Sequence, residues 1–223
     1  MYQHFSVGLI IPCYNEEEGL PMVLNNLPSI IDKVYIVDNQ SDDLTAQIAH
    51  HYGAIVLKEP KKGYGYAYKK GFQNIDTDII VTMDGDGTYP PHEIPRLLSE
   101  LVNENLDFIS ACRFPLQNPE NMDWVSKLGN YILTLVTQLL FAYSIKDSQS
   151  GMWVFKKEVL SKIRLESNGM ALSEEIKIEI LKKKLRFKES HIPYYQRYGK
   201  KKIKKFQDGI KNLAFLFYLK FRK

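Results

Sequence analysis

Ile79-Ile80-Val81-Thr82-Met83 runs directly into Asp84-Gly85-Asp86-Gly87. The first five residues have the length and apolar, β-rich content of a buried strand. In an alternating α/β chain, such a strand delivers the residues at its carboxyl end into the crevice where ligands bind. Here those residues are two carboxylates with one residue between them, and Gly85 and Gly87 carry no side chains to block a phosphate or a cation. Oxygen donors suit Mg²⁺ or Mn²⁺, which take one or two carboxylates plus the substrate's own phosphates. An Asp-x-Asp also occurs in plain turns, so the surrounding pattern has to decide.

Working outward, apolar runs at 7–12, 34–37 and 54–57 read as strands, and 16–31, 42–52 and 63–74 have helical spacing. Downstream, Pro90-Pro91 precedes a helix to about Asn103, and 107–111 is a further strand. Residues 153–155 read as another strand and 173–184 as a helix. Strands alternating with helices of this length predict an α/β chain with a mostly parallel, doubly wound central sheet.

The chain has 223 residues, enough for one sizeable α/β domain or two small ones. Its 44% apolar and 25% charged content excludes wholesale disorder. Cys13 and Cys112 lie in or beside apolar runs and read as buried free thiols rather than a disulfide framework. The N-terminus enters a strand almost at once, so no secretory leader is expected. The net charge of +4 hides an asymmetry. Residues 1–145 hold 9 Lys/Arg against 18 Asp/Glu, a net of −9, and residues 146–223 hold 21 against 8, a net of +13. A basic C-terminal third points to an anionic partner: a membrane surface, a phosphate-bearing substrate or nucleic acid.

Residues 128–145 carry no charge, yet include Gly129, Asn130, Thr134, Thr137, Gln138 and Ser144. That content favours a helix buried or lying at an interface over one crossing a bilayer. In the tail from 203 to 223, Phe206, Ile210, Leu213, Ala214, Phe217 and Phe221 share one helical face among many lysines. The pattern fits a basic amphipathic helix at a bilayer interface, or a terminal helix packed on the domain. The expected division is a main α/β domain over 1–202 and this helix over 203–223.

Polar groups also end the neighbouring strands: Pro12-Cys13-Tyr14-Asn15-Glu16 after the first, Asp38-Asn39-Gln40-Ser41-Asp42-Asp43 after the second. A strand-end Asp can bond a ribose hydroxyl, while Asp42 or Asp43 also suits a helix N-cap. Lys62-Gly63-Tyr64-Gly65 opens a helix near the same edge, where free N–H groups would suit a phosphate. These segments, followed by Asp-x-Asp-Gly and by Asp147-Ser148-Gln149-Ser150-Gly151, occur in an order that resembles family 2 glycosyltransferases of GT-A fold, a Rossmann-like nucleotide-diphospho-sugar transferase fold. The set looks most like the dolichyl-phosphate or polyprenyl-phosphate hexose synthases, and the likeness runs from about residue 6 to 205.

The resemblance implies inverting transfer of a hexose from a GDP- or UDP-linked donor to a polyprenyl or dolichyl phosphate. It implies a divalent metal, Mg²⁺ or Mn²⁺, at Asp84 and Asp86, and a nucleoside pocket lined by Pro12, Tyr14, Glu16 and Asp38, with Gly63 beside the donor. Thr88 stands where relatives often carry Gln. Arg113 matches an arginine that binds the acceptor phosphate, a task suited to a planar fork of donors. Lys127 falls where relatives often have a second arginine. Arg197 and Lys202, in a segment resembling Arg-x-Gly-x-Ser-Lys, are expected on phosphates. Gln149 and Ser150 belong to a loop that would close on donor sugar and acceptor. Glu175 is the carboxylate matching a Glu of relatives, either a general base or an orienting group; a lipid phosphate, already ionised at pH 7, needs little of a base. The implied location is peripheral, on the cytoplasmic face of a membrane, with no role for nucleic acid.

Three other readings compete with this one. A hydroxyl acceptor on a sugar, polysaccharide or protein would demand a true base, and a nucleotidyltransferase would release pyrophosphate. A basic nucleic-acid-binding module, suggested by lysines near Tyr194, Tyr195 and Tyr198, leaves the acidic strand ends unexplained.

Overall fold

The computed structural model describes residues 1–199 and 205–222. Seven strands form one sheet: β1 (Val7–Cys13), β2 (Lys33–Asp38), β3 (Ile55–Lys58), β4 (Ile79–Thr82), β5 (Phe108–Cys112), β6 (Trp153–Lys156) and β7 (Phe187–His191). Their spatial order is β3-β2-β1-β4-β6-β5-β7. All pairings are parallel except those of β6, which runs antiparallel between β4 and β5. Because β6 alone is reversed, β1, β2, β4 and β5 all end on the same edge, which gathers the polar segments picked out above.

Among the described residues there are seven α-helices: α1 (Leu20–Asn25), α2 (Thr45–His51), α3 (Tyr64–Asn74), α4 (Ile94–Asn103), α5 (Trp124–Phe141), α6 (Leu172–Lys182) and α7 (Lys205–Phe221). Alternation along the strands sends side chains to two faces. Leu9, Ile11, Ile79 and Val81 pack with Leu20, Val23, Ala49, Ile94 and Leu97 of α1, α2 and α4. Ile10, Val37, Ile80, Trp153 and Phe155 pack with Ala67, Tyr68, Leu172, Ile176 and Ile180 of α3 and α6. A third cluster joins Leu133 of α5, Ile178 of α6, and Leu216 and Leu219 of α7.

The expected mostly parallel α/β sheet is present, with three local differences. The first helix begins at Leu20 rather than near Glu16, because Asn15 takes a left-handed φ of 55° and 14–18 remain a loop. The uncharged helix starts earlier and ends sooner, over Trp124–Phe141. β7 is an edge strand of sequence Phe-Lys-Glu-Ser-His, too polar to announce itself by an apolar run. Cys13 and Cys112 are both buried and form no disulfide, as expected. Among the described residues no helix is long and apolar enough to cross a membrane.

α7 uses two faces. Asn212, Leu216 and Leu219 are buried against the domain, while Phe206, Ile210, Ala214, Phe217 and Phe221 are exposed. The stripe read from the sequence therefore points mostly outward, and docking uses a second apolar line beside it. α5, its packing partner, likewise exposes Trp124, Leu128, Tyr131, Ile132, Leu135 and Leu139.

Candidate active site

Asp84 and Asp86 follow β4 at the centre of the polar edge. The Asp86 carboxylate is almost wholly buried and is oriented by Thr88, whose N–H and Oγ1 donate to Oδ1 at 2.9 and 2.7 Å. Thr88 thus holds the second aspartate in place. The other oxygen, Oδ2, is ion-paired with Nη2 of Arg197. Arg197 reaches across because the 194–199 segment is stitched to this loop: Tyr195 N donates to Thr88 O and Tyr198 N to Asp86 O. Gly87, at φ 78°, lets the Tyr198 ring lie against it; a Cβ there would stand 2.6 Å from Cδ2 of the ring. Burial and the neighbouring charges of Asp86 and Glu16 raise the pKa of Asp84, against the opposing pull of Arg197 and Arg113. Carboxylates crowded in this way favour a cation between or beside them.

On the β1–β2 side, Pro12 ends β1, and Tyr14 lies under Lys62, whose Nζ is 4.5 Å from the ring centroid and 3.1 Å from the hydroxyl. Glu16 is buried, its N–H bonded to Thr45 Oγ1 and its Oε1 3.9 Å from Arg197 Nη1. Asp38 accepts from Ser41 N at 2.9 Å. Asn39 ties β2 to the loop before α3, donating to Glu59 O and Lys61 O and accepting from Gly63 N. The expected open helix N-terminus at α3 is corrected here. Gly63 N is taken by Asn39 Oδ1, and Gly65 N and Tyr66 N both donate to Asn168 O. The 167–168 backbone closes on Gly63 and Gly65, where a Cβ would collide with Asn168 or Ser167, so those glycines serve a protein contact.

A second polar centre forms around Arg113, which directly follows β5. Arg113 and Asp147 are both buried. Nε and Nη2 each donate to the Asp147 carboxylate at 2.8 Å, the Arg113 backbone N–H adds a third bond at 3.0 Å, and Nη2 also reaches Asn130 Oδ1 of α5. Those bonds use N, Nε and Nη2 and leave Nη1 out. Burial pushes the Asp147 carboxyl up, but the charge and bonds of Arg113, with Lys177 behind, outweigh it and leave the pKa lowered. Lys127 stands in the first turn of α5, one turn before Asn130.

The 147–151 loop is held from every side. Ser148 N donates to Thr134 Oγ1, and Gly151 N donates to Tyr89 Oη. Gln149, expected on the acceptor, has its amide committed to protein: Nε2 donates to Glu174 Oε2 at 2.7 Å, and Oε1 accepts from Asn212 of α7. Ser150 is fully buried, and its carbonyl accepts from Trp153 Nε1 and Lys177 Nζ. Glu175 faces away from this loop. Its oxygens accept from Glu166 N, Ser167 N and Arg222 Nη1, an anchoring arrangement for the 166–167 backbone and the C-terminus. Its neighbour Glu174 is the carboxylate at the loop; burial raises its pKa to about 8, and Oε1 has no hydrogen-bond partner. Lys202 lies outside the described residues.

Sequence reasoning missed Asn39, Asp147 as the partner of Arg113, Glu174 and Lys177. The Arg113–Asp147 pair spans 34 positions, and no periodicity signals it.

No group of three or more His, Cys, Asp or Glu able to hold a metal exists among the described residues. The donor set nonetheless fits a hard divalent cation that arrives with a diphosphate. Two carboxylates sit on one loop, and Asp86 already holds a positive group in the guanidinium of Arg197.

The family model described as "Glycosyl transferase family 2" matches residues 9–164. A dolichyl-phosphate hexose transferase of Haloferax volcanii is 31% identical over 93% of this chain and 91% of its own length. The low-salt glycan biosynthesis hexosyltransferase Agl6 of the same organism is 30% identical over 95% of this chain, which spans 53% of that protein. A UDP-N-acetylglucosamine–dolichyl-phosphate N-acetylglucosaminyltransferase of Methanococcus voltae is 33% identical over 69% of this chain and 70% of its own. In three dimensions the chain superposes on glucosyl-3-phosphoglycerate synthase of Mycobacterium tuberculosis, solved with Mn²⁺, UDP and phosphoglyceric acid. The TM-score is 0.79 at 17% identity, over 98% of this chain and 79% of that one, a likeness of fold. By its sequence, the chain belongs to glycosyl transferase family 2.

Proposed function

We propose that this chain transfers a hexose from a nucleoside-diphosphate sugar to a polyprenyl phosphate of the dolichyl type, with inversion at the anomeric carbon, at a membrane surface. The observation that carries the reading is one sheet edge bearing opposite charges: the Asp84–Asp86 carboxylates after β4, and the buried Arg113 guanidinium at the end of β5. The names of the Haloferax and Methanococcus relatives support a dolichyl-phosphate acceptor. The UDP- and Mn²⁺-bound structural neighbours support a nucleotide donor and a divalent cation.

Pro12, Tyr14, Glu16 and Asp38 line the nucleoside pocket in this reading, with Gly63 at its border. Asp84 and Asp86 would hold the cation, Mg²⁺ or Mn²⁺, which would supply charge neutralisation for a diphosphate leaving group. Arg197 leaves Asp86 for a phosphate oxygen when donor binds, and Lys202 serves the same anions. Arg113, braced by Asp147, offers Nη1 to the acceptor phosphate, and Lys127 adds charge at the mouth. Gln149 and Ser150 act by shaping the loop. A phosphomonoester has its second pKa near 6 and is already largely ionised at pH 7, so the attacking oxygen needs no proton acceptor. Glu175 is therefore an anchor and not a base. Catalysis rests on positioning and on charges set in advance.

The exposed faces of α5 and α7 supply the membrane contact. Eleven of their large apolar side chains are exposed, and α5 turns Asn130 and Thr134 toward the site from its opposite face. A surface of that kind with basic residues around it suits peripheral binding to an anionic leaflet, on the cytoplasmic side. The test is a panel of labelled GDP- and UDP-sugars with a polyprenyl phosphate and Mn²⁺ or Mg²⁺. One donor should yield a labelled lipid, and Asp86→Ala and Arg113→Ala should each suppress it. Failure of every donor, or full activity in both variants, would overturn the proposal.

A further inference from the structure

Lys177 of α6 is among the largest fully buried side chains of the protein. Its neighbours Ile176, Ile178 and Ile180 are buried and apolar, and an apolar residue would serve the helix equally well. Its ammonium instead donates to the carbonyl oxygens of Asp147, Ser148 and Ser150 at 2.8, 2.9 and 2.9 Å. Three donors meet three acceptors, the full capacity of the group.

Three carbonyls drawn from four consecutive residues and aimed at one point repel one another unless a cation sits at the focus. The loop also lacks regular secondary structure, so its buried carbonyls have no ladder to enter. Other ties of the loop go elsewhere: Asp147 N donates to Glu189, Ser148 N donates to Thr134, and Gly151 O accepts from Thr82. A charge without such a duty would be costly in this interior.

We propose that Lys177 is a positioning residue: a buried cationic tripod that fixes the backbone of the 147–151 loop and so holds Asp147 in register with Arg113. It touches no substrate. It acts through Asp147, whose carboxylate in turn sets the direction of the guanidinium, and through Gln149, whose amide is aimed by the same backbone. The ordering of the loop stands by itself, whereas the consequence for turnover rests on the transfer reaction proposed above.

The experiment compares the full chain with Lys177→Met, which keeps length and volume and removes every donor, and Lys177→Gln, which keeps two. Backbone hydrogen exchange over residues 146–152, read by mass spectrometry, needs no substrate. Exchange there should quicken at least tenfold in Lys177→Met and less in Lys177→Gln, while β1 and β4 keep their protection. In the lipid-transfer assay kcat should fall on the order of 100-fold, as for a displacement of about 1 Å in a catalytic group, with donor KM within about twofold. Unchanged exchange in the loop would overturn the proposal. So would exchange that quickens equally throughout the sheet, the mark of a core-filling role, or a loosened loop with kcat intact. If Lys177→Met does not fold, Lys177→Gln decides by the same criteria. Wild-type protein that makes no lipid product defeats the transfer reaction alone, and the exchange result still decides whether Lys177 orders the loop.

Discussion

Replacing Asp147 with Asn removes one charge and almost no volume, and the structure gives the consequence a size. The carboxylate receives three donors from Arg113, at 2.8, 2.8 and 3.0 Å, with both side chains buried. The amide can accept at one atom only and turns N–H donors toward a guanidinium that has none to receive. Breaking a buried pair by deleting one partner costs about 3–5 kcal/mol, because the surviving charge is stranded. Asn retains part of the hydrogen bonding, so about 3 kcal/mol is expected from urea unfolding at pH 7. A cycle with Arg113→Met isolates the pair: the double variant should recover a good part of the loss, since no stranded charge remains. The pH dependence has a definite sign. The Asp147 carboxyl is lowered in the folded state, so its contribution is fully present above the ordinary carboxylate pKa and is lost as pH falls through the folded value. The gap between wild type and Asp147→Asn should stay level from pH 5 to 8 and close only in acid. A cost under about 1 kcal/mol, or a coupling near zero in the cycle, would refute the assignment of this pair as the brace of Arg113.

Arg197→Ala should raise the affinity of the nucleotide-free protein for Mn²⁺ on the order of tenfold, measured by electron paramagnetic resonance of free Mn²⁺, because the guanidinium and the cation compete for Asp86. Equal or weaker binding would count against that competition. For Lys177, burial lowers the folded pKa to about 8 from 10.5, so between those values the unfolded chain holds more protons and stability rises with pH. The stability of wild type relative to Lys177→Met should therefore climb above pH 8, by at most about 1.4 kcal/mol per unit, in denaturation series; a flat difference contradicts the burial of a charged amine. Phe206→Ser and Leu139→Ser, at side chains 81% and 74% exposed, should leave unfolding unchanged yet each weaken sedimentation with anionic vesicles about tenfold. Undiminished sedimentation would move the membrane contact away from α5 and α7.

The sheet was legible because its central strands are short apolar runs, and a run such as Ile79-Ile80-Val81 has few other uses. The strand-end aspartates could be found for the same reason: the strand says where its last residue is delivered. Partnership was not legible. Glu174 and Glu175 differ by one position, which on a helix is about 100° of rotation. Only the packed phase of α6 sends one to Gln149 and the other to the 166–167 backbone. Lys177 reads as a solvated charge in any periodicity, since nothing local announces that three carbonyls converge on it from about thirty positions away. The reversed β6 has the same composition a parallel strand would have, and its direction is set by the loop that precedes it.

The charge asymmetry of the chain takes on a different meaning in the fold. Read along the sequence, an excess of cations after residue 145 asks for an external anion. In space, much of that excess faces the acidic half of the same molecule. Arg186 pairs with Asp107, Lys188 with Glu100 and Glu104, and Arg197 with Asp86. Arg222 goes to Glu166 and Glu179 within the basic third itself. These pairs fasten β7 and the segment after it onto β5, α4 and the Asp84–Asp86 loop, and the last helix onto α6. Among the described residues, the exposed Lys146, Lys211 and Lys220 stand on or near α5 and α7. An anionic surface approaching those helices would meet charge and apolar side chains together, and its lipid phosphates would arrive along α5, whose inner face carries Asn130 to Arg113.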